Sequence, residues 1–319
     1  MTTGSTGSSL LTESQRTKGV ILGVACGVGA AAFWAGGFVA ARHGIAAGLS
    51  PFDIAFHRYV WAGLFFLPGV MRRGLGGLDG IGWGRGVVLA MLGGPFQAVV
   101  SASGFLLVPL AHGGLIQPSV MVLTGLLLAT VVLRERQPPG RVGGAAMIIA
   151  GIAVIGGEAL TSIGRSGMLG DAAFALAGAL FAAFGTLLRL WRIMPARATV
   201  VIATLTLFYV PLHAAVFGFG RMVAAGWFEN AVQIVAQGVF SGPGAIYLFA
   251  RSAVLLGASR AAVFPSLVPG LTVVIGFLAL GEAPSLVQLA GLAVVLVGFR
   301  LTQQSAGAGP AADSRRQGS

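Results

Sequence analysis

The chain has 319 residues, 56% of them hydrophobic and only 9% charged, with a mean hydropathy of +0.89. Soluble domains carry about 25% charged residues, so this chain cannot cover itself with a polar skin, and a soluble enzyme, a nucleic-acid-binding module and a disordered protein are all disfavoured. Its net charge of +11 is scattered singly or in short clusters between apolar runs, the pattern of cytoplasmic loop anchors in a membrane protein.

In chain order, Met1–Thr17 is polar and rich in Ser, Thr and Gly, with no cleavable signal. Residues 1–18 are expected to be a disordered cytoplasmic N-terminus. Ten apolar runs long enough to cross a bilayer follow: Gly19–Ala41, Phe52–Val70, Val87–Val108, Gly113–Leu133, Val142–Gly157, Gly170–Leu190, Ala198–Gly218, Ala231–Ser252, Arg260–Leu280 and Leu286–Gln303. They are apolar throughout, without the alternation of a membrane β-barrel. Residues 304–319 read as a disordered cytoplasmic tail. With both ends inside, sixteen Lys and Arg residues fall in cytoplasmic segments and three, Arg42, Arg165 and Arg221, outside. That asymmetry orients a multi-pass protein of the cell membrane. The excess of Arg over Lys and the abundance of Ala and Gly point to a bacterial source. Cys26 is the sole cysteine, so no intrachain disulfide is possible.

A shift of 147 residues aligns Pro118 with Pro265, Leu133 with Leu280, Glu135 with Glu282, Gly144 with Gly291 and Gly151 with Gly298. It pairs the first five spans with the last five. Five is odd, so the halves have opposite orientation. The Arg-rich turn Arg134-Glu135-Arg136 and its Arg-free mate Gly281-Glu282-Ala283 lie on opposite sides accordingly. The expected fold is an all-α polytopic membrane protein of ten transmembrane helices in two inverted five-helix repeats, 19–157 and 170–303. Inverted repeats are a recurrent transporter architecture, with the substrate at their interface.

No Walker A loop, H-E-x-x-H or G-x-S-x-G motif is present. The four histidines show no ligand spacing, and neither a metal nor a cofactor is expected. An ionisable residue inside a span is a functional candidate, which selects Arg58. Its two readings are recognition of a carboxylate or a gate, and snorkelling with Asp53 as partner. Trp34, Phe38, Gln97, Gln117, Phe181 and Tyr247 complete an expected substrate cavity. Pro118 and Pro265 are expected as matched helix kinks beside it. Glu135 and Glu282 are assigned to hold the turns at helix ends, and Asp171 to cap the sixth span.

The segments Phe33-Trp34-Ala35-Gly36-Gly37-Phe38, Leu133-Arg134-Glu135-Arg136 and Leu280-Gly281-Glu282, each turn followed by spaced glycines, resemble the EamA-like transporters of the drug/metabolite transporter superfamily. The resemblance covers roughly residues 19–302. It implies ten helices, a central cavity and movement of small metabolites, often export of amino acids. Arg134 stands where that family usually has Gly. Gly36-Gly37 stands where it often has a polar pair, removing side chains from the expected cavity. The expected function is a secondary transporter, most readily an exporter of amino acids or related compounds, working by alternating access. Its partners are a small-molecule substrate and the lipid bilayer, with no nucleic acid, and it is a monomer or a homodimer. The coupling ion is left open, because no carboxylate lies deep in a span. The rival readings are a membrane-embedded enzyme acting on lipid and a non-transporting membrane sensor.

Overall fold

The computed structural model describes residues 13–73, 77, 78 and 80–304, so most of both expected tails lies outside the described residues. Helix accounts for 86% of the described residues, and no strand occurs among them. The helices are α1 (Glu13–Ala46), α2 (Pro51–Arg73), α3 (Trp83–Gly93), α4 (Pro95–Gly104), α5 (Leu110–Val131), α6 (Pro139–Glu158) and α7 (Arg165–Leu190). They continue as α8 (Pro195–Leu205), α9 (Tyr209–Val216), α10 (Gly220–Gln233), α11 (Ala245–Leu256), α12 (Ala258–Ala261), α13 (Val268–Leu280) and α14 (Leu286–Gln304). A wide π-helical segment, Ile234–Gly244, joins α10 to α11, and a 3-10 turn, Phe264–Leu267, leads into α13.

Among the described residues, 8 helical stretches are long and apolar enough to cross a membrane, against the ten expected. The two other expected spans correspond to α2 and to a shorter apolar helix, Phe264–Leu280. α1 begins at Glu13, so residues 13–18, expected to be disordered, are helical. Two expected single spans are each built from two pieces. Pro95, which lacks a backbone N–H, starts α4 and separates it from α3.

Bilayer helices gain little from burying apolar surface against one another, so they associate by close packing of small residues. α6 and α14 do this with the repeated glycines. A Cβ on Gly144 would lie 2.7 Å from the Gly298 carbonyl oxygen, and one on Gly298 would lie 2.8 Å from that of Gly144. Gly151 and Gly291 face each other in the same way, at 2.9 and 3.1 Å. The two turns that follow α5 and α13 also share a conformation. Gly281 takes a left-handed φ of +69°, and Arg134 takes +56°. Glycine adopts that region freely, whereas an L side chain pays about 1–2 kcal/mol there. This is the physical reason a glycine suits the turn, and Arg134 carries the strain.

The expected kinks differ from expectation. Pro118 lies within a continuous α5, and Pro265 sits in the 3-10 turn at the head of α13. A proline is tolerated at the start of a helix, where its missing N–H has no partner to lose.

Candidate substrate cavity

α1, α2, α4, α5, α7, α11 and the π-helical segment surround a central cavity of about 220 Å³. Its wall carries the aromatic rings of Trp34 and Phe38 from α1, Phe181 from α7 and Phe249 from α11, with Phe105 beside the end of α4. The Trp34 and Phe249 rings lie 5.6 Å apart, and Phe38 meets Phe105 edge-on at 6.4 Å. Pro118 and Pro265 also face the cavity.

The polar lining is sparse. Arg58 Nη1 donates to Gln237 Oε1 at 3.4 Å, and Gln237 Nε2 donates to the Gly37 carbonyl at 2.7 Å. Gln97 is buried and reaches the Ala177 carbonyl at 3.3 Å, while Ser101 Oγ donates to Gln117 Oε1 at 2.5 Å. Arg58 therefore presents donors to the cavity while also engaging Gln237 through a long hydrogen bond and the neighbouring Tyr59 side chain. A guanidinium in that position suits a bidentate acceptor such as a carboxylate.

Asp53 is not the partner of Arg58. Its Oδ2 accepts from the N–H and Oγ of Ser50, at 2.8 and 2.6 Å, and its Oδ1 lies 3.2 Å from His213 Nε2. His57 is likewise committed elsewhere. Trp61 Nε1 donates to its Nδ1 and its Nε2 faces Asn230 Oδ1, both at 3.1 Å, which assigns the proton to Nε2.

Trp34, Phe38, Arg58, Gln97, Gln117 and Phe181 thus meet at one cavity, but Tyr247 does not: it is 67% exposed on the outer face of α11. The π-helical turns before α11 change its angular phase relative to a continuous α-helix, and Phe249, two residues on, takes the inward place. Gly37 differs from expectation too. A Cβ there would lie 2.3 Å from Ser241 Oγ, so its bareness admits the π-helical segment rather than only enlarging the cavity. Phe105, Gln237 and Phe249 were not selected from the sequence. Gln237 was within reach of it, since Glu229, Gln233 and Gln237 recur every four residues.

Two ion pairs flank the cavity. Arg42 Nε donates to Glu282 Oε1 at 2.7 Å and Arg42 Nη1 to the Phe105 carbonyl at 2.9 Å, while Glu282 Oε2 accepts from Leu110 N–H at 3.0 Å. Glu135 pairs with Arg189 in a more exposed setting. A groove of about 440 Å³ leads from that pair to Pro118, Met121 and Pro265, which also line the cavity. Asp171 does not open its helix. It lies inside α7 and pairs with buried His112 at 2.8 Å. Among the described residues, no group of three His, Cys, Asp or Glu side chains has metal-binding geometry.

A bundle of long apolar helices around a cavity lined by aromatic rings and an arginine defines a polytopic membrane protein with an internal cavity. Residues 21–157 match the model of the EamA-like transporter family. No curated protein matches the chain. A solved structure described only as "Crystal structure of protein" is similar in fold, with a TM-score of 0.58 and 19% identity over 95% of this chain and 100% of that one.

Proposed function

We propose that this protein is a ten-helix secondary transporter, built from two inverted five-helix repeats, that exports amino acids or related carboxylates by alternating access. Both termini lie in the cytoplasm of a bacterial cell. The observation that carries this reading is the pairing of cavity-lining residues across 147 positions: Trp34 with Phe181, Ala102 with Phe249, Pro118 with Pro265 and Met121 with Val268. A site assembled from equivalent positions of two halves can open to either side by the same motion run in opposite senses. The reciprocal contacts Gly144–Gly298 and Gly151–Gly291 support the same two-fold relation, because the shift exchanges one contact for the other.

The amide and hydroxyl groups of Gln97, Ser101 and Gln117 supply donors and acceptors for a second polar group, and the aromatic wall takes an apolar side chain. Arg58 holds the carboxylate. The test is export of a panel of radiolabelled amino acids from loaded proteoliposomes. Hydrogen bonds to charged groups are worth about 1.5–3 kcal/mol, so Arg58→Ala should lose about ten- to a hundredfold in transport, at equal reconstitution. Arg58→Lys keeps the charge but loses the bidentate fork, and should recover only part. Near-normal export by Arg58→Ala would place recognition elsewhere, and a wild type that moves no member of the panel would refute the assigned substrate class.

A further inference from the structure

We infer that Glu229, paired with His43, is a proton-binding site linked to the cavity through Gln233, Gln237 and Arg58. The inference rests on the transporter reading and adds its energy source. Glu229 lies within the apolar stretch Gly220–Leu256 and is 6% exposed. Sequence reading placed it just outside the eighth span and so found no deep carboxylate. Its Oε1 accepts from Gln233 Nε2 at 2.8 Å, and its Oε2 lies 3.0 Å from His43 Nε2. The cation it faces is therefore a histidine, the residue type that changes charge between about pH 5 and 8. A buried carboxylate must be paired or protonated. When the imidazole gives up its proton, the pair keeps a balanced charge only if that proton moves to Glu229.

The His43 side chain is 47% exposed and so gives the site a connection to solvent. A proton on His43 Nε2 transfers to Glu229 Oε2, leaving a neutral imidazole and a neutral carboxylic acid. The path to the cavity is a ladder. Gln233 and Gln237, both fully buried, follow Glu229 at four-residue spacing and donate at 2.7 Å to the carbonyls of Ala40 and Gly37 on α1. Gln237 Oε1 then receives Arg58. Gln233 Oε1 is buried with no partner, an acceptor open to the O–H that protonated Glu229 would carry. A turn of the Gln233 amide toward that O–H breaks its hold on Ala40. Gln237, one turn further on and still bonded to Gly37, carries that shift to Arg58.

The other ionisable groups on the elements around α10 have partners of their own or face solvent. α1 also carries Arg42, held by Glu282. α2 carries Asp53, held by Ser50 and His213, Arg58 at the cavity, and His57, which is held by Asn230 and Trp61 and also interacts electrostatically with Glu229. The π-helical segment Ile234–Gly244 has no ionisable side chain, and Arg221 of α10 is exposed.

The experiment uses purified full-length protein in lipid, without any substrate. Infrared difference spectra between acid and alkaline buffer should contain a protonated-carboxyl band that is lost in Glu229→Gln. In a Cys26→Ser background, labelling of Ser101→Cys in the cavity should depend on pH, once normalised to denatured protein at the same pH. Glu229→Gln should remove that dependence, and His43→Arg, which fixes the cation at a half-exposed position where folding is not at stake, should do the same. An unchanged carboxyl band in Glu229→Gln, or an unchanged pH dependence in His43→Arg, overturns the proton site while leaving the cavity intact. A Ser101→Cys thiol inert at every pH instead refutes the cavity, and the linkage with it.

Discussion

The two ends of the molecule carry the same pair of residue types in different surroundings. At one end Arg42 and Glu282 have side-chain exposures of 27% and 29%, and each makes a further bond to backbone. Behind them Phe38, Phe105 and Phe174 form an aromatic layer between the pair and the cavity. At the other end Arg189 and Glu135 are 58% and 38% exposed, and an open groove lies behind them. The shift of 147 turns Arg42 into Arg189 and Glu135 into Glu282, so each pair joins one half of the chain to the other. It also turns Phe38 into Gly185 and Phe105 into Ser252, which takes the aromatic layer away from the Glu135 end. Wet ion pairs contribute about 0–1 kcal/mol, whereas charge-assisted bonds in a networked, partly dry site are worth more. The chemistry of the two closures is thus the same, and their strength is set by what stands behind them. On the proposed topology the Glu282 end is outside and firmly shut, and the cavity faces the cytoplasm.

This contrast breaks first at Glu282. With Ser101→Cys as reporter, a charged membrane-impermeant thiol reagent should label from the outside more than about tenfold faster in Glu282→Ala than in wild type. Removing it strips both Arg42 and the Leu110 N–H of a partner, at about 1.5–3 kcal/mol for a charged hydrogen bond and tenfold per 1.4 kcal/mol. No change in outside labelling would mean that the pair is a surface ornament.

A smaller effect is expected from restoring the missing aromatic. Gly185 has open space where a Cβ would go, so Gly185→Phe should fold and should slow labelling from the cytoplasmic face severalfold, by filling the groove. Unaltered cytoplasmic labelling would show that the groove is not the access route.

The smallest effect belongs to Glu135. Because its pair is exposed, Glu135→Gln should change cytoplasmic labelling by less than about fivefold. A response as large as that of Glu282→Ala would make the two closures equal and erase the comparison.

The sequence by itself determined the solvent and the helical class. Composition fixes the first, because too few charged residues exist to face water. Uninterrupted apolar runs fix the second, because a backbone in lipid must satisfy its own hydrogen bonds. The spaced glycines, the Glu-bearing turns and six of the seven residues expected to line the cavity were also legible, since an arginine, amides and large aromatics are costly or needless on a lipid-facing helix. Tertiary structure decided the rest. It moved Tyr247 outward and Phe249 inward, because π-helical turns alter angular phase in a way that residue spacing does not report. It gave Asp53 to Ser50 and His213, leaving Arg58 to the cavity, because partner choice depends on elements distant in the chain. It buried Glu229 against His43, separated by 186 positions, because burial is a property of packed neighbours and not of the residue or its local run.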